Sequence, residues 1–369
     1  MAELHTEAAA LATELAADAA AGWDLAGELP RPVLRELGVK GVLCAQVPSD
    51  HGGLGLSSVD NGKLTAHVGT LCGSLRSVLT SQGMAAWAVQ RLGTARQRAA
   101  HLTALTGGSL AGVAFSEPGA GSDLAAMATT LTVEGDEVVV DGAKVWVTVG
   151  AYADLLVVIG KLDGQAGCVV VPADAPGVRV TRVPDPLGCR AAGHADVRFD
   201  RVRLPADALL GGTALPLGML VTTVLTYGRI SVAWGCAGIL RTCLAEAARH
   251  VSARRQGGVA LSEHQLVRRH LAGLYVAERS ATLACARASR CWDEGDPDLG
   301  GAAVLAKHLA ATGAAAGAAT AVQLLASAGA RDGHPVARAY RDAKLMEIIE
   351  GSNEISELVL AEEALRTWA

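Results

Sequence analysis

Between residues 109 and 212 the texture of the chain changes, and this change limits the fold more than any other feature. Short β-branched runs appear there, at residues 131–133, 138–140, 145–148, 155–159, 168–171, 178–180 and 197–202. Turn signals separate them: Gly135-Asp136, Asp141-Gly142, Asp163-Gly164 and Pro176-Gly177. Many short strands divided by turns predict a compact β-barrel or sandwich. Both flanks read as helix. Residues 6–21 are almost continuous Ala, Glu and Leu, all strong helix formers. Pro30 and Pro32 start a new helix, residues 48–55 form a loop, and helices follow over 60–71, 74–92 and 95–105. After Gly211-Gly212 come helices over 217–251, 264–292 and 302–327. Strands do not alternate with helices, which excludes a doubly wound dinucleotide fold. The expected organisation is an N-terminal helical domain (1–108), a middle β-domain (109–213) and a C-terminal helical bundle (214–369), a mainly α protein with a middle β-domain.

Composition excludes several function classes. Hydrophobic residues make up 50% and charged residues 19%, too apolar for disorder. A net charge of −5 gives no basic footprint for nucleic acid or an anionic membrane. The eight cysteines are scattered without a Cys-x-x-Cys pair, so buried free thiols are expected and neither a zinc site nor a disulfide framework. No basic n-region opens the chain and no apolar run reaches membrane-span length, so a cytoplasmic protein is expected. His51, His194, His264, His308 and His334 show no metal spacing, and no Gly-x-Ser-x-Gly elbow is present.

Four stretches carry candidate chemistry. Tyr340-Arg-Asp-Ala-Lys-Leu-Met-Glu-Ile-Ile-Glu350-Gly-Ser-Asn-Glu-Ile-Ser356 reads as a helix, a break and a second helix. Ala343, Met346 and Glu350 share a face, Gly351 stops the helix, and Ser352 caps the next one with Glu354 in its first turn. Glu350 is then the last residue before the break, on an apolar approach of Leu345, Met346, Ile348 and Ile349. Desolvation raises the pKa of such a carboxylate, which suits a base; a surface glutamate at a frayed helix end is the alternative. In Ala114-Phe-Ser-Glu-Pro-Gly-Ala-Gly-Ser-Asp123, glycines let the backbone approach a ligand, and Ser116 and Ser122 offer hydroxyls to a polar ring edge or phosphate. In Lys144-Val-Trp-Val-Thr148, Trp146 either stacks on a planar heteroaromatic cofactor, with Thr148 bonding to it, or packs in the core. Arg254-Arg255-Gln-Gly-Gly258 with Glu263 suits a pyrophosphate or is a solvated turn. Arg229, among Ile230, Val232 and Trp234, needs an acidic partner if buried, with Glu350 or Glu347 available.

Together these strings resemble the acyl-CoA dehydrogenase family over nearly the whole chain. Val47-Pro-Ser-Asp-His-Gly-Gly-Leu-Gly55, Ser116-Glu-Pro-Gly-Ala-Gly-Ser-Asp123, Trp146-Val-Thr148, Phe199-Asp-Arg-Val-Arg-Leu-Pro205, Ala339-Tyr-Arg-Asp-Ala-Lys344 and Ile349-Glu-Gly-Ser-Asn-Glu-Ile355 match its motifs in order. The resemblance implies a helical domain, a β-barrel domain and a four-helix bundle, with FAD between the last two. It gives Glu350 the catalytic-base position. Phe115, Ser116, Gly121, Ser122, Trp146, Thr148 and Ser352 take flavin-binding positions, and Arg254, Gln256 and Gln323 reach the FAD of a partner subunit. Ser122 and Arg229 take substrate-binding positions. No metal is implied. The partners implied are a homo-oligomer, dimer or tetramer, and an electron acceptor.

Residues 74–87, 188–195 and 231–240 resemble a narrower group, the dehydrogenase-like enzymes of hydroxymalonyl- and methoxymalonyl-ACP extender-unit pathways in macrolide polyketide biosynthesis. That group implies a short polar acyl chain on an acyl carrier protein, oxidised at C3 toward hydroxymalonyl-ACP. Glu350 would then take a proton from carbon or from oxygen. The competing readings are α,β-desaturation of a short acyl-CoA and a flavin-free scaffold. Four departures from the family pattern bear on the site. Thr226 stands in place of an aspartate, Gly257 in place of a frequent phenylalanine, Ala326-Ser327 in place of Gly-Gly, and Ile349 in place of a frequent aromatic.

Overall fold

The computed structural model describes residues 2–369. Helices α1 (Ala2–Ala16), α2 (Ala20–Ala26), α3 (Arg31–Val39), α4 (Ser58–Leu71), α5 (Gly73–Leu92) and α6 (Ala95–Thr106) come first. The expected unbroken helix over 6–21 is interrupted at residues 17–19. Propensity favours continuing it, but the break lets α2 bury Trp23 and Asp24, and Asp24 accepts from Arg341 at 2.6 Å. α3 starts on the expected proline signal, with Pro32 in its first turn.

The middle region is one seven-stranded half-barrel sheet. Its strands are β1 (Ala111–Ala114), β2 (Thr130–Glu134), β3 (Glu137–Val147), β4 (Leu155–Leu162), β5 (Gln165–Pro172), β6 (Val178–Arg182) and β7 (Ala195–Pro205). They are ordered β1-β4-β2-β3-β7-β6, with β5 also paired to β4. β1 and β4 run parallel; β2–β3, β3–β7, β4–β5 and β6–β7 are antiparallel. β7 alternates strictly at its ends and buries Val197, Phe199, Val202 and Leu204 on one face. Two of the four turn signals, Gly135-Asp136 and Asp163-Gly164, close antiparallel hairpins, and a third, Pro176-Gly177, lies in the turn that joins β5 to β6. The fourth, Asp141-Gly142, lies inside β3, where the pairing with β7 shifts register. A Cβ at Gly142 would sit 2.5 Å from Thr129 Oγ1 and 2.7 Å from its Cα. Glycine serves close approach there, a use that a turn signal in sequence does not separate from reversal.

The C-terminal region holds α7 (Leu217–Ala253), the hairpin β8 (Arg255–Gln256) and β9 (Val259–Ala260), α8 (Gln265–Glu294), α9 (Leu299–Leu325), α10 (Pro335–Met346) and α11 (Asn353–Trp368). Its core is made of small residues such as Ala233, Cys236, Ala237, Cys285, Ala310 and Ala314. Small side chains let helix backbones come close: a Cβ at Gly238 of α7 would meet Ala66 O of α4 at 2.3 Å. The eight cysteines are buried free thiols, as expected. Contrary to the sequence reading, residues 217–253 and 299–328 are long and apolar enough to cross a membrane by length and composition. Both form the core of the bundle, which accounts for their hydropathy.

Candidate active site

The chain around Glu350 is built differently from the expected helix-then-glycine. α10 ends at Met346, residues 347–350 form a turn, and Glu350 itself takes a left-handed φ of 57°, followed by Gly351 at 90°. A left-handed glutamate costs backbone energy and persists only where its surroundings over-determine it. Two cations do so. Lys307 of α9, fully buried, donates from Nζ to Gly351 O at 2.7 Å, and also to Glu347 O and Asn353 Oδ1. Arg229 of α7 donates from Nε to Glu350 O at 3.2 Å. The expectation that Arg229 pairs with a carboxylate is therefore corrected: its partner is a carbonyl, and Glu347 pairs instead with Lys344 at 2.9 Å. Ser352 caps α11 as expected, accepting from Ile355 N, and Glu354 lies in the first turn.

With the backbone fixed, the Glu350 carboxylate points onto α7. A Cβ at Gly228 would lie 2.4 Å from Oε2, so only glycine leaves room for it. Oε2 is inaccessible and has no hydrogen-bond partner. Burial pushes the carboxyl up to about 7, against the pull of Arg229, Lys307 and Arg76. A buried carboxylate without donors is costly as a structural element and well suited to gaining a proton near neutral pH.

One face of α7 continues the site. Gly228, Ser231 and Gly235 follow at i, i+3 and i+7. Ser231 Oγ lies 2.8 Å from Thr80 Oγ1 of α5. A Cβ at Gly235 would meet Arg76 Cδ at 2.6 Å. Arg76 is 1% exposed, and the side-chain partners of its guanidinium are Thr80 Oγ1 at 3.3 Å, Met346 Sδ at 3.0 Å and Cys189 Sγ at 3.9 Å. A buried guanidinium normally meets a carboxylate; this one meets hydroxyl and sulfur atoms. Sequence reading missed Arg76 and Lys307. Each had a signal, as the single charged residue in a long uncharged helical stretch.

The sheet supplies the opposite wall. Trp146 is not a core residue: it is 51% exposed, at φ 57°, where β3 shifts register against β7. The Trp146 backbone N–H donates to Asp196 Oδ1 at 3.1 Å. Thr148 Oγ1 lies 3.3 Å from His194 Nδ1, and the Trp146 and His194 rings are 5.6 Å apart. Ser81 of α5 donates to Thr148 O at 3.2 Å and ties this shelf to the helices. The loop holding Ser116 and Ser122 is anchored by a pair that sequence reading did not identify. Lys144 Nζ meets Glu117 Oε1 at 2.7 Å, and Ala128 N and Thr129 N donate to the same carboxylate. Burial opposes ionisation of Glu117, but Lys144 and these N–H groups hold it down at about 2. Lys144 also donates to Phe115 O. The hydroxyls of Ser116 and Ser122 have no protein partner, and a Cβ at Gly119 or Gly121 would meet nothing within 4 Å. An open loop with free hydroxyls beside an exposed indole fits a planar, polar cofactor such as a flavin.

Arg254, Gln256 and Gln323 lie elsewhere, exposed on the bundle, and no hydrogen bond or ion pair joins them to this shelf. Glu263 caps Ala260 N instead of pairing with Arg254 or Arg255. Gly257 and Gly258 both take positive φ in the β8–β9 turn, where glycine is at ease.

Residues 2–109, 112–202 and 218–365 match, in order, the N-terminal, middle and C-terminal domains of acyl-CoA dehydrogenase. A probable acyl-CoA dehydrogenase, YngJ of Bacillus subtilis (strain 168), is 32% identical over 93% of this chain and 92% of its own length. The short-chain specific acyl-CoA dehydrogenase of human mitochondria is 32% identical over 92% of this chain and 84% of its own. Among solved structures, FkbI, described as serving biosynthesis of the methoxymalonyl extender unit of the Fk520 polyketide immunosuppressant, is 59% identical, with a TM-score of 0.93 over 97% of this chain and 99% of that one. Glutaryl-CoA dehydrogenase of Mycobacterium smegmatis is 27% identical with a TM-score of 0.93, covering 98% of this chain and 93% of that one.

Proposed function

The chain belongs to the acyl-CoA dehydrogenase family of thioester oxidoreductases, and from that membership we propose that it is an FAD-dependent dehydrogenase of a short, oxygenated acyl unit on an acyl carrier protein, acting toward hydroxymalonyl-ACP. The observation that carries the polar acyl unit is Arg76. A guanidinium buried beside Thr80 and Ser231, with no carboxylate partner, would repel a saturated chain and reward an oxygenated one. The likeness to FkbI supports the same substrate class and an extender-unit role.

In this reading Phe115, Ser116, Gly121, Ser122, Trp146, Thr148 and Ser352 hold FAD, which when bound accepts the hydride leaving the substrate. Arg254, Gln256 and Gln323 reach the FAD of a second subunit. Exposed apolar residues on α8 (Leu266, Tyr275, Val276, Leu283) support a homo-oligomer. Ser122 and Arg229 border the substrate. Glu350 takes the proton of a C3 hydroxyl as the C3–H bond breaks with its electron pair and C3=O forms. A raised pKa suits it to this task. Lys307 and Arg229 hold the backbone of Glu350, so the carboxylate is aimed before substrate arrives.

Anaerobic flavin reduction with glyceryl-ACP, its C3 aldehyde form and short acyl-CoAs tests the proposal. The ACP-bound oxygenated substrates are expected to bleach the flavin faster. Equal or faster bleaching by a saturated acyl-CoA would overturn it in favour of α,β-desaturation.

A further inference from the structure

Arg179 of β6 and Arg198 of β7 stand directly opposite each other across the sheet. Residues in such register lie about 5 Å apart at Cα, and like charges placed there are destabilising. Both side chains are exposed, and among the described residues no ion pair or hydrogen bond joins either to an acidic group. The other arginines of β7 are neutralised: Arg201 and Arg203 both meet Glu134, and Arg203 also meets Glu137. β6 ends the sheet, and a charge on an edge strand discourages pairing with another chain. That accounts for Arg179 alone. Arg198 lies on an inner strand, between β3 and β6, where no edge needs protection.

The pair lies beside the cofactor shelf. Arg198 follows Asp196 by two residues on the exposed face of β7, a step of about 7 Å. Asp196 is the residue whose carboxylate accepts from the Trp146 backbone N–H. The row through Arg179 and Arg198 continues onto β3 at Ala143, three residues before Trp146 and without charge of its own. Two unneutralised guanidinium groups therefore flank the exposed indole. Facing arginine forks suit a phosphate, since each can bond its oxygens bidentately. A patch of two charges on a chain of net charge −5 is too small for a membrane surface or a nucleic acid. A carrier-bound substrate brings the matching anion with it. The arm that holds the acyl unit joins its carrier through a phosphodiester, and acidic side chains surround that joint. We propose that Arg179 and Arg198 are the docking site for the acidic face of the acyl carrier protein, with the phosphodiester between the two forks. This rests on the carrier-bound reading above.

Anaerobic flavin reduction tests it, with the glyceryl unit on the acyl carrier protein, on coenzyme A, or on plain pantetheine, which has neither phosphate nor protein. Arg179→Glu places a carboxylate opposite Arg198, a favourable cross-strand pair, so flavin content should hold and the denaturation midpoint should hold or rise. In Arg179→Glu and in Arg198→Glu the second-order rate with the carrier-bound unit is expected to fall about ten- to a hundredfold, with a weaker dependence on salt. The limiting rate at high carrier concentration and the rate with the pantetheine thioester are expected to stay unchanged. Arg179→Lys keeps the charge and is expected to keep most of the carrier rate. An unchanged carrier rate in both charge reversals overturns the inference, and so does an equal fall with the pantetheine thioester. A fall with the coenzyme A thioester as large as with the carrier would assign the pair to a nucleotide phosphate and overturn the carrier as its occupant. A changed oligomeric state in either variant would make this face a subunit contact and also overturn it. A wild type that reacts no faster with the carrier-bound unit than with the pantetheine thioester overturns the carrier-bound reading itself.

Discussion

Two glutamates with buried carboxylates sit close to buried cations, and they have opposite fates. Glu117 receives Lys144 Nζ, Ala128 N and Thr129 N, and is held at about 2. Glu350 has Arg229 and Lys307 nearby, but both cations donate to backbone carbonyls, and its carboxyl rises to about 7. Each glutamate has a buried lysine nearby, but the donors are aimed differently, and Glu350 lacks the backbone N–H groups that Glu117 receives. Donors aimed at a carboxylate make an anchor, whereas donors aimed at the backbone behind it make a placed but unsatisfied base. Glu350→Gln, Lys144→Met and the pH dependence of stability each test this contrast, and the positive φ that Glu350 shares with Ala326 offers a further test at Ala326.

The largest effect is expected at the unsatisfied member. Glu350→Gln keeps the shape and removes the base, so the rate of flavin reduction by substrate should fall about 10²- to 10⁴-fold in stopped flow, with flavin content unchanged. In the unaltered protein the same rate should rise with pH through about 7 and level off above it, because the ionised carboxylate accepts the proton. A near-normal rate in Glu350→Gln would remove Glu350 from the chemistry. At the satisfied member the loss should appear in stability instead. Lys144→Met leaves Glu117 ionised and buried on two backbone donors, at a cost of about 3–5 kcal/mol in chemical denaturation. A cost below about 1 kcal/mol would mean that Glu117 is rehydrated, and the contrast would collapse.

The two carboxyls also pull stability in opposite directions with pH. Glu350 is raised from 4.5 to about 7, so the folded state binds its proton more tightly. Its contribution is complete below pH 4.5 and is lost as pH rises toward about 7, on the order of 3 kcal/mol. Glu117 is depressed from 4.5 to about 2, so its contribution is complete above pH 4.5 and is lost as pH falls toward about 2. His194, pressed down to about 4 by burial, pulls the other way over part of this range, so the Glu350 contribution is read as a difference. The stability of Glu350→Gln relative to the unaltered protein should rise as pH goes from 4.5 to about 7, while the acid limb set by Glu117 stays.

What the sequence reveals of this site follows the range of the interactions. The break at Gly351, the Ser352 cap and the apolar approach to Glu350 are local, and a local pattern exposes them. The left-handed φ of Glu350 is not local: it depends on Lys307, 43 positions upstream, and Arg229, 121 positions upstream. Arg76 meets Met346 across 270 positions, and no periodicity announces such a pair. The strands are legible because alternation is a short-range signal. Gly142 misleads because one residue type serves both reversal and close approach, and only Thr129 across the sheet distinguishes the two. The element order is thus readable, while the electrostatic identity of each carboxylate is not.

The smallest effect concerns strain. Glu350 shares its left-handed φ with Ala326, at 51°, where α9 ends. At Glu350 the strain aims a reactive group, and Lys307 and Arg229 hold it in place. Ala326 has no reactive side chain to aim, and its methyl group lacks glycine's freedom at positive φ. Ala326→Gly should relieve about 1 kcal/mol or more in the native state and return up to about 1 kcal/mol as unfolded-chain entropy. The net expectation is a stabilisation of about 0.5 kcal/mol, read as a rise in denaturation midpoint with flavin reduction unchanged. A fall in midpoint would show that the Ala326 methyl group makes contacts worth more than the strain, and the two left-handed residues would then be alike in being held from outside.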